Sequence, residues 1–203
     1  MKRPTDGCWT ALIPGLLGDS AQRLSDVGFE LHEMVSGAQT EALAASMIEV
    51  FFMWRAAQHL GFDSQLICCE PLLVVMSSVH PFAQQATIAV ADLDQQPVVM
   101  YSPDERRNFY DCIVGLFAMA GGSPRYPHYL GQPHSILGLV CAVLGLAIVP
   151  AAARDLYLGH LQFRPLADAQ PRAEDYMVSR NDNDSPALPP FLRMAEEYFR
   201  TLG

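Results

Sequence analysis

LHEMVSGAQTEAL, residues Leu31–Leu43, changes its hydrophobic period halfway along. Leu31 and Glu33 alternate with His32 and Met34 as in a strand, and Ala38–Leu43 repeats at helical spacing. Ser36 and Gly37 stand at the changeover. Ser36 is a good N-cap residue, so a helix is expected to start there, directly behind a strand over Phe29–Met34.

Working outward, the helical spacing of Trp9, Leu12, Ile13, Leu16, Leu17 and Leu24 predicts a helix over 9–24, disturbed in its early turns by Pro14 and Gly15. MIEVFFMW (47–54) and QLICCEPLLVVMSS (65–78) have the β-branched and aromatic content of strands, the second interrupted or bent at Pro71. This β-α-β-α-β order predicts a mostly parallel sheet with helices on its faces. The pattern breaks at SVHPFAQQ (78–85), and a second α/β series follows. Its expected elements are a strand at 98–101, a helix over 107–120, a strand near 126–130, a helix from 135, a strand at 146–149 and a short helix at 151–156. Strands at 160–166 and 173–180 and a helix from Pro189 to Leu202 complete the chain, the last with Phe191, Met194, Ala195, Tyr198 and Phe199 on one face.

A chain of 203 residues, half of them apolar, is long enough for a sizeable core. The formal charge is −9 and Lys2 is the single lysine, which argues against a polyanion-binding surface on this polypeptide. Cys8, Cys68, Cys69, Cys112 and Cys141 are odd in number and irregular in spacing, so they are expected to be structural thiols in a reducing, cytoplasmic setting. The N-terminus lacks a secretory h-region. The uncharged run Ile136–Ala153 reaches the lower length limit of a membrane span, but Gly138, Gly145 and Pro150 divide it into a buried helix (about 135–143), a turn at Gly145 and a short buried strand (146–149).

ELHEMVSGAQTEALAASMIEV (30–50), EPLLVVMSSVHPFAQ (70–84), ADLDQQPVVMYSP (91–103) and LGLVCAVLGLAIVPAAARDL (137–156) together resemble the effector-binding domain of LysR-type transcriptional regulators. The resemblance covers about residues 7–203 and leans towards the branch that answers to muconate and other aromatic-catabolism intermediates. It implies an α/β fold of two Rossmann-like subdomains, similar to type 2 periplasmic binding proteins, with a ligand cleft between them. Subdomain I would be 1–79 plus 171–203, and subdomain II 80–170. It also implies a dimer or tetramer, pairing the helices near 37–46 and 107–120. Four features depart from the family pattern. Nothing in this chain corresponds to the DNA-binding helix-turn-helix. MKRPTDG occupies the place of the usual first strand, and Val143 replaces the first glycine of a Gly-x-Gly turn that ends at Gly145. Trp54 stands where the family has an arginine.

Three helices are expected to begin at the cleft: near Cys8 and Trp9, at Ser36 and Gly37, and at Pro133, His134 and Ser135. Their unpaired N–H groups and partial positive charge suit a carboxylate. Tyr101, Ser102 and Pro103, on the loop after a strand of subdomain II, are expected to line the opposite wall. The resemblance gives Ser36 and Cys8 effector-contacting places, although Ser36 serves equally as a plain cap. Arg106 and Arg107 are expected on a solvated face beside Asp104 and Glu105, and Trp54 in packing.

No catalytic motif, metal-ligand spacing or cofactor fingerprint is present, so an enzyme is not expected. The partner expected is a small carboxylated or aromatic metabolite, with no nucleic acid or membrane contact by this chain. The rival reading is a stand-alone ligand-binding or interaction protein of the same fold, with no DNA-binding part.

Overall fold

The computed structural model describes residues 12–34, 36–54, 59–156, 159–167 and 171–202. Among the described residues, five helices and seven strands follow one another as α1 (Leu12–Arg23), α2 (Ser36–Ala44), β1 (Val50–Trp54), β2 (Phe62–Ser77), β3 (Pro97–Tyr101), α3 (Arg107–Ala120), β4 (Arg125–Leu130), α4 (Pro133–Cys141), β5 (Ala147–Pro150), β6 (Leu161–Pro165), β7 (Arg172–Arg180) and α5 (Leu188–Leu202). Short 3-10 turns occupy Pro81–Gln84, Val90–Leu93 and Ala151–Leu156. The chain divides into two compact units, Met1–Cys69 with Glu174–Gly203 and Glu70–Ala173.

In the first unit β7 lies between β1 and β2, and β1 runs antiparallel to β7 with Phe52 opposite Met177 and Phe51 opposite Val178. Alternation along β1 sends successive phenylalanines to opposite faces. Phe52 joins Leu16 of α1 and Phe191, Met194, Ala195 and Phe199 of α5. Phe51 joins Leu43 of α2 and Val178. Two helices therefore cover one face and α2 covers the other. The five residues expected on one face of α5 all belong to the first of these clusters.

In the second unit β2 pairs antiparallel with β5 on one side and with β6 on the other. β3 and β4 are parallel, and an isolated parallel bridge joins Val98 to Leu146 just before β5. Val74, Val75, Met76, Val98, Met100, Ile113, Phe117, Ile136, Leu137, Val140 and Ile148 are all buried there. The uncharged run from Ile136 resolves into α4, a turn and β5, as its glycines foretold. Among the described residues no helix is long and apolar enough to cross a membrane.

Four expectations need correction. Phe29–Met34 is extended but joins no ladder, and Phe29 and Leu31 remain exposed, because no described strand lies alongside to complete the pairing. Not all of the ladders are parallel: β1–β7, β2–β5 and β2–β6 are antiparallel, and β3–β4 is parallel. β2 continues through Pro71, so of the two alternatives there, interruption or bend, the interruption is excluded. That position lies just before the register with β5 begins at Leu72, where no ladder N–H is needed. Finally, Cys69, Cys112 and Cys141 are half-buried thiols, but Cys68 is disulfide-bonded, so the reading of every cysteine as a thiol fails at that position.

Candidate effector site

The parallel pair β3–β4 ends at Tyr101 and Leu130, and two helices begin just beyond it. Loops at the carboxyl edge of parallel strands are where α/β folds present groups to ligands. Here they are tied to one another. The Ser102 N–H donates to the Leu130 carbonyl at 2.9 Å, and the Arg106 N–H returns to the Ser102 carbonyl at 2.8 Å. Arg106 Nε donates to the Gly131 carbonyl at 3.2 Å. The Glu105 side chain lies over Gly131, where a Cβ would strike its carboxylate. Tyr101–Pro103 and Pro133–Ser135 are thus brought together in one cross-linked loop pair.

The start of α4 follows from its residues. Gln132 is the extended N-cap, its side chain makes no cap bond, and Pro133 fits the first turn because its missing N–H would be unpaired anyway. The Gln132 carbonyl accepts from both Ser135 and Ile136 at 3.1 Å. His134 is exposed and Ser135 half-buried.

Tyr101 is buried, with its ring stacked on Phe109 at 4.8 Å. Its hydroxyl has no hydrogen-bond partner among the described residues. Burial pushes this phenol far up, with Arg106 opposing and the Glu70 charge adding to the rise. Tyr101 therefore stays neutral, and Ser102 and Pro103 are the half-exposed members of its loop. Arg106 is a strut between the loops, whereas Arg107 pairs with Asp111 at 3.0 Å on an exposed face. Trp54 is buried, in keeping with a packing role.

In the other unit, Ser36 and Gly37 open α2 as the sequence predicts, and Gly37 is exposed. Cys8 and Trp9 lie outside the described residues. Glu70 was not anticipated. Its carboxylate accepts the Ala152 N–H at 2.7 Å, holding the short turn after β5. An acid inside the apolar run CCEPLLVV was the available signal, since a buried carboxylate needs a donor.

The profile of the LysR substrate binding domain matches residues 5–200, nearly the whole chain. The chain belongs to the LysR substrate-binding domain family. Among its relatives are the HTH-type transcriptional regulator BenM of Acinetobacter baylyi, 27% identical over 86% of this chain and 58% of that protein, and AlsR of Bacillus subtilis, 22% identical over 90% of this chain and 61% of that protein. The chain thus spans about six-tenths of the length of such relatives. Among solved structures, the BenM effector binding domain with its effector benzoate superposes with a TM-score of 0.82 at 26% identity, covering 95% of this chain and 86% of that one. The fold is accordingly the LysR effector-binding, type 2 periplasmic-binding-like one. The relatives are transcriptional regulators, and the family is a regulatory ligand-binding domain rather than an enzyme.

Proposed function

We propose that this chain is the sensor part of a cytoplasmic LysR-type transcriptional regulator and binds a small carboxylated or aromatic metabolite. The observation that carries this reading is the likeness, over nearly all of the chain, to a domain solved with an aromatic carboxylate as its effector. The local chemistry agrees with it. Ser102, Pro103, Pro133, His134 and Ser135 gather beside the first turn of α4, where the partial positive charge of the helix start favours an anion. On this proposal Tyr101 backs that loop, and Ser36, Gly37, Cys8 and Trp9 are further ligand contacts that the likeness to the family supports. A ligand that prefers one arrangement of the two units biases a dimer or tetramer, and so becomes a signal.

Thermal unfolding in the presence of benzoate, salicylate and cis,cis-muconate tests the proposal. At least one should raise the melting temperature, since a ligand at about a hundredfold its Kd adds about 2.7 kcal/mol to apparent stability. Ser135→Ala and His134→Ala should reduce that rise and leave the stability of the ligand-free protein within about 0.5 kcal/mol of wild type. No shift from any acid would refute the acid-effector reading.

A further inference from the structure

Tyr101 is 1% exposed, yet its hydroxyl has no hydrogen-bond partner among the described residues. Packing does not call for that oxygen. The ring stacks on Phe109 at 4.8 Å, and a phenylalanine would make the same stack. A hydroxyl buried without a partner costs stability, and buried tyrosines as a rule find one. An oxygen kept there without an internal partner is one that a ligand can satisfy.

Its place narrows what that ligand offers. β3 ends at Tyr101, opposite Leu130 of the parallel strand β4. The hydroxyl lies in the field of Arg106, whose guanidinium donates to the Gly131 carbonyl at 3.2 Å, one residue before the N-cap of α4. A strand end and a helix start thus meet beside it, at the edge where α/β folds hold ligands. α4 is nine residues long, and the partial positive charge of its start suits a carboxylate. The phenol supplies something different. Burial raises its pKa, with the Arg106 charge opposing and the Glu70 charge adding, so it stays neutral and can both donate and accept.

We propose that Tyr101 determines effector specificity: its hydroxyl pairs with a second oxygen of the ligand, outside the carboxylate that the α4 start attracts. This rests on the acid-effector reading and sharpens it to acids that carry a further hydroxyl or carboxyl group. An unsubstituted aromatic acid leaves the phenol unpaired and gains nothing from it. A methyl group in place of the ligand's hydroxyl adds bulk without the bond, so the site prefers the hydroxyl. Because the phenol is buried in the free chain, the ligand reaches it by shifting the Ser102–Arg106 loop, which two backbone bonds and the Arg106 strut hold.

Titration calorimetry of the full chain with benzoate, the three hydroxybenzoates, the three methylbenzoates and cis,cis-muconate tests it. At least one acid with a second oxygen should bind about tenfold tighter than benzoate and, for a hydroxybenzoate, about tenfold tighter than its methyl analogue. In Tyr101→Phe that ratio should fall to about one, with the affinity for benzoate unchanged. Without ligand the same variant should unfold at a urea midpoint equal to or above that of wild type, since it deletes a buried unpaired oxygen. A preference that survives in Tyr101→Phe would overturn this proposal and leave the acid-effector reading standing. Benzoate binding as tightly as every oxygen-bearing acid would do the same. A lower urea midpoint for the variant would show the hydroxyl already paired in the free protein, and would equally overturn it. Binding by none of the acids would overturn both readings.

Discussion

Val143 adopts a left-handed backbone, with φ of 62°, in a turn whose third residue, Gly145, has φ of 152°. A β-branched side chain is disfavoured there by about 1–2 kcal/mol. Val143 is 57% exposed, so little burial offsets that cost. Val143→Gly should therefore stabilise the protein by about 1 kcal/mol in urea unfolding, once the greater freedom of glycine in the unfolded chain is subtracted. Gly145→Ala should do the reverse. Its Cβ would lie 2.6 Å from the Pro97 carbonyl oxygen, a backbone atom that cannot swing away, and a loss of about 2 kcal/mol or more is expected. His80 gives a pH-dependent counterpart. Its Nδ1 accepts the Phe82 N–H at 3.2 Å, and burial lowers its pKa. The neutral ring is the folded form, so its contribution is complete above the unfolded value near 6.5 and is lost as pH falls through the lower folded value. Arg164, donating to the Ala83 and Gln85 carbonyls at 2.6 Å, adds a positive charge to the same turn. Melting temperatures taken between pH 8 and 5 should fall more steeply for wild type than for His80→Asn, which keeps an accepting cap without the titration.

Among the elements, α1 shows why a disturbed pattern can still be a helix. Pro14 fits its first turn, and Gly15 is where Tyr198 of α5 rests its hydroxyl, leaving no room for a Cβ. Gly15→Ala should raise helix propensity yet destabilise by about 1–2 kcal/mol, because the aromatic ring must move. Adding Tyr198→Phe removes the colliding atom and should recover most of the loss, a coupling that a double-mutant cycle in urea would measure. Single-sequence reasoning cannot see this, since the two residues are far apart in the chain. The same limit explains the element that was misread. FELHEM has the alternation of a strand, but alternation reports only that two faces differ, and pairing depends on a neighbour that the segment itself does not encode. Elements that carry their own stop signals were legible: α3 ends at Gly121 in the left-handed conformation, and Pro133 starts α4.

At the scale of the molecule, the chain divides into two compact units, and the orientation of their strands was the part not legible in the sequence. β2 and β7 each begin in one unit and end in the other, so they enter ladders whose direction no local pattern specifies. The candidate effector loops were legible by position but not by role. Ser102 and Pro133 stand at a strand end and a helix start that the sequence marks, whereas the bracing by Arg106 and the burial of Tyr101 needed coordinates. Assembly is argued from the same surfaces. Cys112, Leu116 and Met119 form an outward stripe along α3, of which Met119 is 90% exposed, and one acid placed there should repel a facing apolar helix at little cost to the free chain. If α3 takes part in the dimer proposed for this chain, Met119→Glu should shift sedimentation velocity towards the monomer while the stability extrapolated to low protein concentration stays within about 0.5 kcal/mol of wild type. An unchanged sedimentation coefficient across a tenfold concentration range would place the contact on another face. Because an effector that favours one arrangement of the units must act through whichever contacts join the protomers, the variant should also lose any effect of ligand on self-association while retaining ligand-induced thermal stabilisation.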